Sequence, residues 1–153
     1  MDKIYHKAIN KRIQKLSEDI GELKVRSEME PIWSEPSPIG DREPIGSGIS
    51  EKMGVYRIIY KPTMITMSIG KGWIGDRKCR HKLIHQNKGK PVRYSTSNTD
   101  SPTGRKMYNY DRKLKNWLFS WCEVGNEELA LEYEKQLQFT EKPEFNDLSM
   151  AGK

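Results

Sequence analysis

Cysteine is scarce in this chain of 153 residues: Cys79 and Cys122 are the only two, and they stand in no metal-like spacing. Two isolated thiols cannot build a tetrahedral zinc module. One bridge would staple little in a domain of this size, so reduced thiols and a cytosolic setting are expected. Long apolar runs are missing as well. No stretch approaches the length of about 18 residues that marks a membrane-spanning helix. The opening MDKIYHKAINKR is charged throughout, so neither signal peptide nor membrane anchor is expected and the protein reads as soluble and cytoplasmic. There are no internal repeats and no compact cluster of Asp and Glu. Acidic charge is in deficit overall: 27 Lys and Arg against 21 Asp and Glu leave +6, with a pI near 9.2. That balance suits a polyanionic partner and says nothing about fold. The length accommodates one domain of ordinary size plus one appended arm.

What is present is organised around residues 54–81. Residues 54–60 set Val55, Arg57 and Ile59 against Tyr56, Ile58 and Tyr60, Lys61-Pro62-Thr63 supplies a turn, and residues 65–69 resume an apolar, β-branched run. This predicts a β-hairpin. Gly70, Gly72 and Gly75 follow, and Asp76 is placed to cap a helix that carries Arg77 and His81 four residues apart on one face and runs to about residue 85. A third strand is expected over 117–124, with Trp117, Phe119 and Trp121 on one face. Gly125 ends it, and Asn126 caps a last helix with Glu127 and Glu128 in its first turn. In that helix Glu132 and Glu134 read equally well as surface charges.

The remaining segments frame this core. In residues 1–25, His6, Ile9, Ile13, Leu16, Ile20 and Leu23 recur at steps of three and four, which predicts an amphipathic helix whose stripe docks on the domain, forms a homodimer or contacts DNA. Residues 26–52, with Pro31, Pro36, Pro38, Pro44 and several glycines, read as a linker or a wrapped arm. Ile32, Trp33, Ile39, Ile45 and Ile49 argue that parts of it lie on the core. Residues 86–115 read as a long exposed basic loop; Lys82, Lys88, Lys90, Arg93, Arg105, Lys106, Arg112 and Lys113 suit phosphate contacts, with Tyr94, Tyr108 and Tyr110 interleaved. The alternative is a solvated loop. Residues 53–147 would form the functional domain, and 148–153 a tail.

The pattern Gly54-Val55-Tyr56, a short gap, Ser68-Ile69-Gly70, then Arg77 and His81, and later Glu134 with Pro143-x-Phe145-Asn146 resembles the GIY-YIG nuclease superfamily. The resemblance spans residues 54–146. It departs from the family where Ser68 stands in place of the second tyrosine, and the gap to the arginine is about one residue short. The resemblance implies an α+β domain with a three-stranded, largely antiparallel sheet flanked by helices, to which the N-terminal helix would be an arm. It implies a metal-dependent DNA endonuclease that hydrolyses phosphodiester bonds, restriction-type or nicking, with Glu134 as the ligand of Mg²⁺ (or Mn²⁺ in its place) and Glu132 as the fallback.

The resemblance further casts Tyr56 as general base or water-orienting group, Arg77 as the phosphate ligand, His81 as a positioning group and Asn146 as support. Lys71 or Tyr60 would compensate for Ser68. Since a free phenol titrates near 10, Arg77 and Lys71, or the shell of the bound metal, are expected to favour the phenolate of Tyr56. Small restriction-type members elaborate the N-terminus and internal loops, the layout seen here, and double-strand cleavage by such a site calls for a homodimer on double-stranded DNA. The readings kept beside this one are a nucleic-acid-binding module with an inactive nuclease fold, favoured by Ser68, and a basic protein whose helical arm binds another protein.

Overall fold

A computed structural model describes residues 31–44, 46–94 and 96–146. The amphipathic stretch 1–25, Ile45 and the tail 148–153 lie outside the described residues. The described residues from Trp33 to Asn146 belong to one compact unit. Its elements are β1 (Ser37–Pro38), β2 (Met53–Tyr60), β3 (Ile65–Trp73), α1 (Ile74–Gln86), β4 (Val92–Tyr94), β5 (Ser97–Thr99), α2 (Pro102–Tyr110), β6 (Trp117–Glu123) and α3 (Glu127–Glu141). The fold is α+β, with a four-stranded antiparallel sheet in the order β1-β6-β2-β3 and a separate two-stranded ribbon β4-β5.

Strand β2 lies between β3 and β6, which pair both of its edges, and a buried layer covers each of its faces, so its apolar run is almost continuous. Tyr56 and Ile58 join Trp117, Phe119 and Met107 in one buried layer, which Ile39 and Ile74 complete. Val55 joins Ile69, Cys122 and Ala130 in the other, closed by Leu129, Tyr133 and Leu137 of α3. Cys79 and Cys122 are both free thiols, and burial pushes Cys122 up to about 12.

Three sequence expectations are corrected. The sheet has four strands where three were expected, because the Pro-rich segment contributes β1. Pro38 tolerates this edge position since no ladder donor is needed there, Ile39 N–H donates to Trp117 O at 2.9 Å, and the Ile39 side chain is fully buried. Ile39 and Ile49 of this arm lie in the core as the apolar residues suggested, whereas Ile32 is exposed. Next, α1 starts at Ile74 and Asp76 does not cap it. Ile74 is buried and its N–H donates to Lys52 O at 2.9 Å, so a tertiary contact fixes the start and leaves Asp76 to pair with Arg80 at 3.0 Å.

Finally, residues 86–115 are folded as the β4-β5 ribbon, α2 and a short turn at Leu114–Asn116. Asp111 is what ties this insertion to the sheet. Its carboxylate accepts from Tyr60 Oη at 2.6 Å, Asn116 Nδ2 at 2.8 Å and Lys113 N–H at 2.8 Å. Its carbonyl lies 2.9 Å from His85 Nε2 and accepts from Trp117 Nε1 at 3.1 Å. These bonds hold the Asp111 carboxyl below the usual range, the Tyr60 hydroxyl contributing most. Replacing Asp111 by Ala strands Tyr60 Oη and Asn116 Nδ2 and should destabilise the fold by about 1–3 kcal/mol, with Asp111→Asn losing less; urea unfolding of the two variants beside wild type measures it.

Candidate active site

The central strand β2 presents Tyr56 opposite Gly70 of β3 and Trp121 of β6. Its ring stacks on Phe119 with centroids 5.2 Å apart, and its hydroxyl crosses the backbone of Gly70, where an added Cβ would lie 2.3 Å from Oη. Two residues on, Gly72 has φ of +140°, and a Cβ there would lie 2.4 Å from Arg77 Nε. The Gly70-Lys71-Gly72 strip is therefore bare because the phenol and the guanidinium occupy the space that side chains would fill.

Helix α1 brings Arg77 and His81 to this strip one turn apart. His81 Nε2 lies 2.7 Å from Tyr56 Oη, with both residues buried. On the far side of the imidazole, Nδ1 lies 2.7 Å from Ser101 Oγ. Ser101 is the N-cap of α2, and its hydroxyl oxygen accepts from Gly104 N–H at 2.8 Å. That helix packs so closely on α1 that a Cβ on Gly104 would meet Ile84 at 2.8 Å and His81 O at 2.9 Å.

On α3, Glu134 is half-buried and close enough for its charge to bear on Tyr56, and for those of Lys71, Lys135 and Arg77 to bear on it. The exposed edge of β3 is closed by two side chains at one residue. Asn146 Oδ1 accepts from Ile69 N–H at 2.6 Å and Gln138 Nε2 donates to Ile69 O at 2.9 Å, a substitute for a neighbouring strand.

Burial governs the protonation states. It raises the Tyr56 phenol well above its ordinary value of 10; Arg77 and Arg80 oppose it, and Glu134 adds to it. The expected phenolate is thus overturned for the resting protein: desolvation outweighs Arg77. Lys71 does not help, because alternation along β3 puts it on the face away from Tyr56, where it pairs with Glu127 at 3.1 Å. Burial, then Arg77 and Arg80, push His81 down to about 3. The imidazole is neutral near pH 7. Burial also raises the Glu134 carboxyl, against the pull of the three cations.

The structure brings together Tyr56, Arg77, His81, Glu134 and Asn146 from positions far apart in the chain. Ser68 is buried opposite Ile58. Tyr60 cannot stand in for the missing tyrosine, since its hydroxyl is committed to Asp111. Of the basic residues, Lys88, Lys90, Arg93 and Lys113 are exposed and Lys82 is half-buried. Arg112 lies over the Tyr108 ring at 5.3 Å. Arg105 pairs with Asp100 and donates to Gly89 O at 3.2 Å, and the exposed Lys106 donates to Phe145 O at 2.8 Å. Sequence reasoning missed Ser101, Gln138 and Arg80. The Ser101-Pro102 pair carries a legible helix-start signal, but nothing local shows that the cap also reaches His81.

Among the described residues no group of three or more His, Cys, Asp or Glu is placed to hold a metal ion, and no helix is long and apolar enough to cross a membrane. The depressed His81 gives a stability test. Between pH 6.5 and about 3 the unfolded chain takes up a proton at His81 that the folded one refuses, so acidification destabilises by up to about 1.4 kcal/mol per pH unit. The His81→Gln variant should lose less stability than wild type between pH 7 and 5 in urea titrations; parallel losses would contradict the buried neutral imidazole. Comparisons with protein-family models, with curated proteins and with solved structures return no match to this chain.

Proposed function

We propose that this chain is a metal-dependent DNA endonuclease of the GIY-YIG kind, hydrolysing phosphodiester bonds at the edge of β3. The observation that carries the reading is the buried Tyr56–His81 pair at 2.7 Å, lying in the field of both Arg77 and Glu134. A phosphodiester needs an oriented water, neutralisation of the charge on phosphorus-bound oxygens, and a stabilised leaving oxygen. Arg77, laid over the bare Gly72, offers a fixed cation for a non-bridging oxygen. Tyr56 is a phenol at rest, so it orients the attacking water or a phosphate oxygen by hydrogen bonding, and His81 holds it in place. Lys71 supports Glu134 from the other face of β3.

The donor set fits Mg²⁺, with Mn²⁺ as a substitute. Such an ion keeps most of its waters and takes one or two carboxylates plus substrate phosphate, so Glu134 suffices. Burial raises this carboxyl, which measures the cost of placing its charge there; a divalent cation would offset that cost and would supply Lewis-acid neutralisation of the scissile phosphate. Exposed Lys88, Lys90, Arg93 and Lys113, with Arg112 on Tyr108, offer the sequence-independent phosphate contacts. One such site cuts one strand. A nicking activity follows for a single copy, and a restriction-type double-strand break for a homodimer.

A second reading, a nucleic-acid-binding module without catalysis, is favoured by the small buried Ser68 and by the commitment of Tyr60 to Asp111. The two part in one experiment. With supercoiled plasmid and Mg²⁺, wild type should nick or linearise the DNA, while Glu134→Ala loses cleavage by about 100-fold or more and still shifts DNA on a gel. Equal binding with no cleavage by either protein would favour the binding module.

A further inference from the structure

The insertion between α1 and β6 reaches the imidazole of the site by a hydrogen bond from one hydroxyl, that of Ser101. Ser101 Oγ has two polar neighbours: Gly104 N–H at 2.8 Å and His81 Nδ1 at 2.7 Å. Ser101, Gly104 and His81 are all buried, so their hydrogen-bonding groups are satisfied within this cluster. A serine hydroxyl has one hydrogen to give. Gly104 N–H can only donate, so it takes a lone pair of Oγ. Among the described residues, the acceptor that the hydroxyl hydrogen reaches is then His81 Nδ1.

We infer that Ser101 donates to His81 Nδ1 and holds the imidazole as its Nε2–H tautomer, so that His81 is a hydrogen-bond donor to Tyr56 and not the acceptor of its proton. Gly104 N–H is then matched to Ser101 Oγ, Ser101 O–H to Nδ1 and Nε2–H to Tyr56 Oη, and the one hydrogen left over is that of the Tyr56 phenol, which keeps 5% exposure against 2% for Ser101. In the opposite tautomer Nδ1–H would occupy the second lone pair of Ser101, and the buried serine hydrogen would have no acceptor in the cluster.

The consequence at Tyr56 is directional. Nε2–H fills a lone pair of Oη, so the phenolic hydrogen turns away from the imidazole. If that proton leaves, it passes to a water or a phosphate oxygen, and the Nε2–H bond stays behind to stabilise the phenolate. Ser101 is thus a positioning residue that makes the insertion part of the site. The catalytic consequence rests on the nuclease reading; the tautomer rests on geometry alone.

The test is the long-range proton–nitrogen NMR spectrum of ¹⁵N-histidine-labelled full-length protein at pH 7 without DNA, with His81 assigned through His81→Gln. Wild type should show Nε2 protonated and Nδ1 unprotonated. Ser101→Asp keeps a good N-cap for α2 but has no hydrogen to give, so Nδ1 should become protonated. Ser101→Thr, which retains the hydroxyl, should keep the wild-type pattern and serves where the Asp variant does not fold. A wild-type spectrum with Nδ1 protonated would overturn the assignment, as would an unchanged tautomer in a folded Ser101→Asp. Because no DNA is present, a wild type that cuts nothing would count against the nuclease reading while this spectrum still decides the tautomer.

Discussion

A phenol and an imidazole lie buried against each other at 2.7 Å, and most of the fold is arranged to make that contact. Tyr56 reaches it from the central strand, where both sheet faces are covered. His81 reaches it from a helix whose start is set by Ile74 and whose outer flank is pressed by α2. Burying two polar rings is costly unless each is hydrogen-bonded, so the contact demands partners on every side. Phe119 supplies the stacking face, Gly70 the room and Ser101 the second bond to the imidazole.

The same burial sets the chemistry. It keeps His81 neutral and Tyr56 protonated near pH 7, so this pair carries no charge at rest. Charge is held around it instead, by Arg77 and Arg80 on α1 and Glu134 on α3. Strand β3 is an edge of the sheet, and an edge strand is otherwise prone to shift or to recruit another strand. Asn146 and Gln138 grip Ile69 by its N–H and carbonyl and fix that edge. This gives Asn146 a mechanical reason to stand beside the site.

Much of this was legible in the sequence, and the failures have a common cause. The hairpin, the Arg77–His81 face, the Asn126 cap and the last helix all follow from local signals: alternation, turn residues, spacing of four and capping chemistry. Strand β1 was not legible, because two residues beside prolines pair only since β6 offers them an edge. The basic stretch 86–115 read as loop by composition, yet it folds through Asp111, whose partners are spread from Tyr60 to Trp117. Asp76 had the right chemistry for a cap but lost the position to a tertiary bond. Ser101 had a local role that concealed a distant one. The phenolate expectation weighed nearby cations and left out desolvation, which is larger in a buried site.

The most direct test of a catalytic Tyr56 removes one atom. Tyr56→Phe keeps the buried ring and its stacking on Phe119 and deletes only the hydroxyl, so fold and DNA binding should survive. Single-turnover cleavage of duplex DNA with Mg²⁺ should fall by about 10²-fold or more. Cleavage at the wild-type rate by a folded, DNA-binding Tyr56→Phe would contradict a catalytic role for the Tyr56–His81 pair.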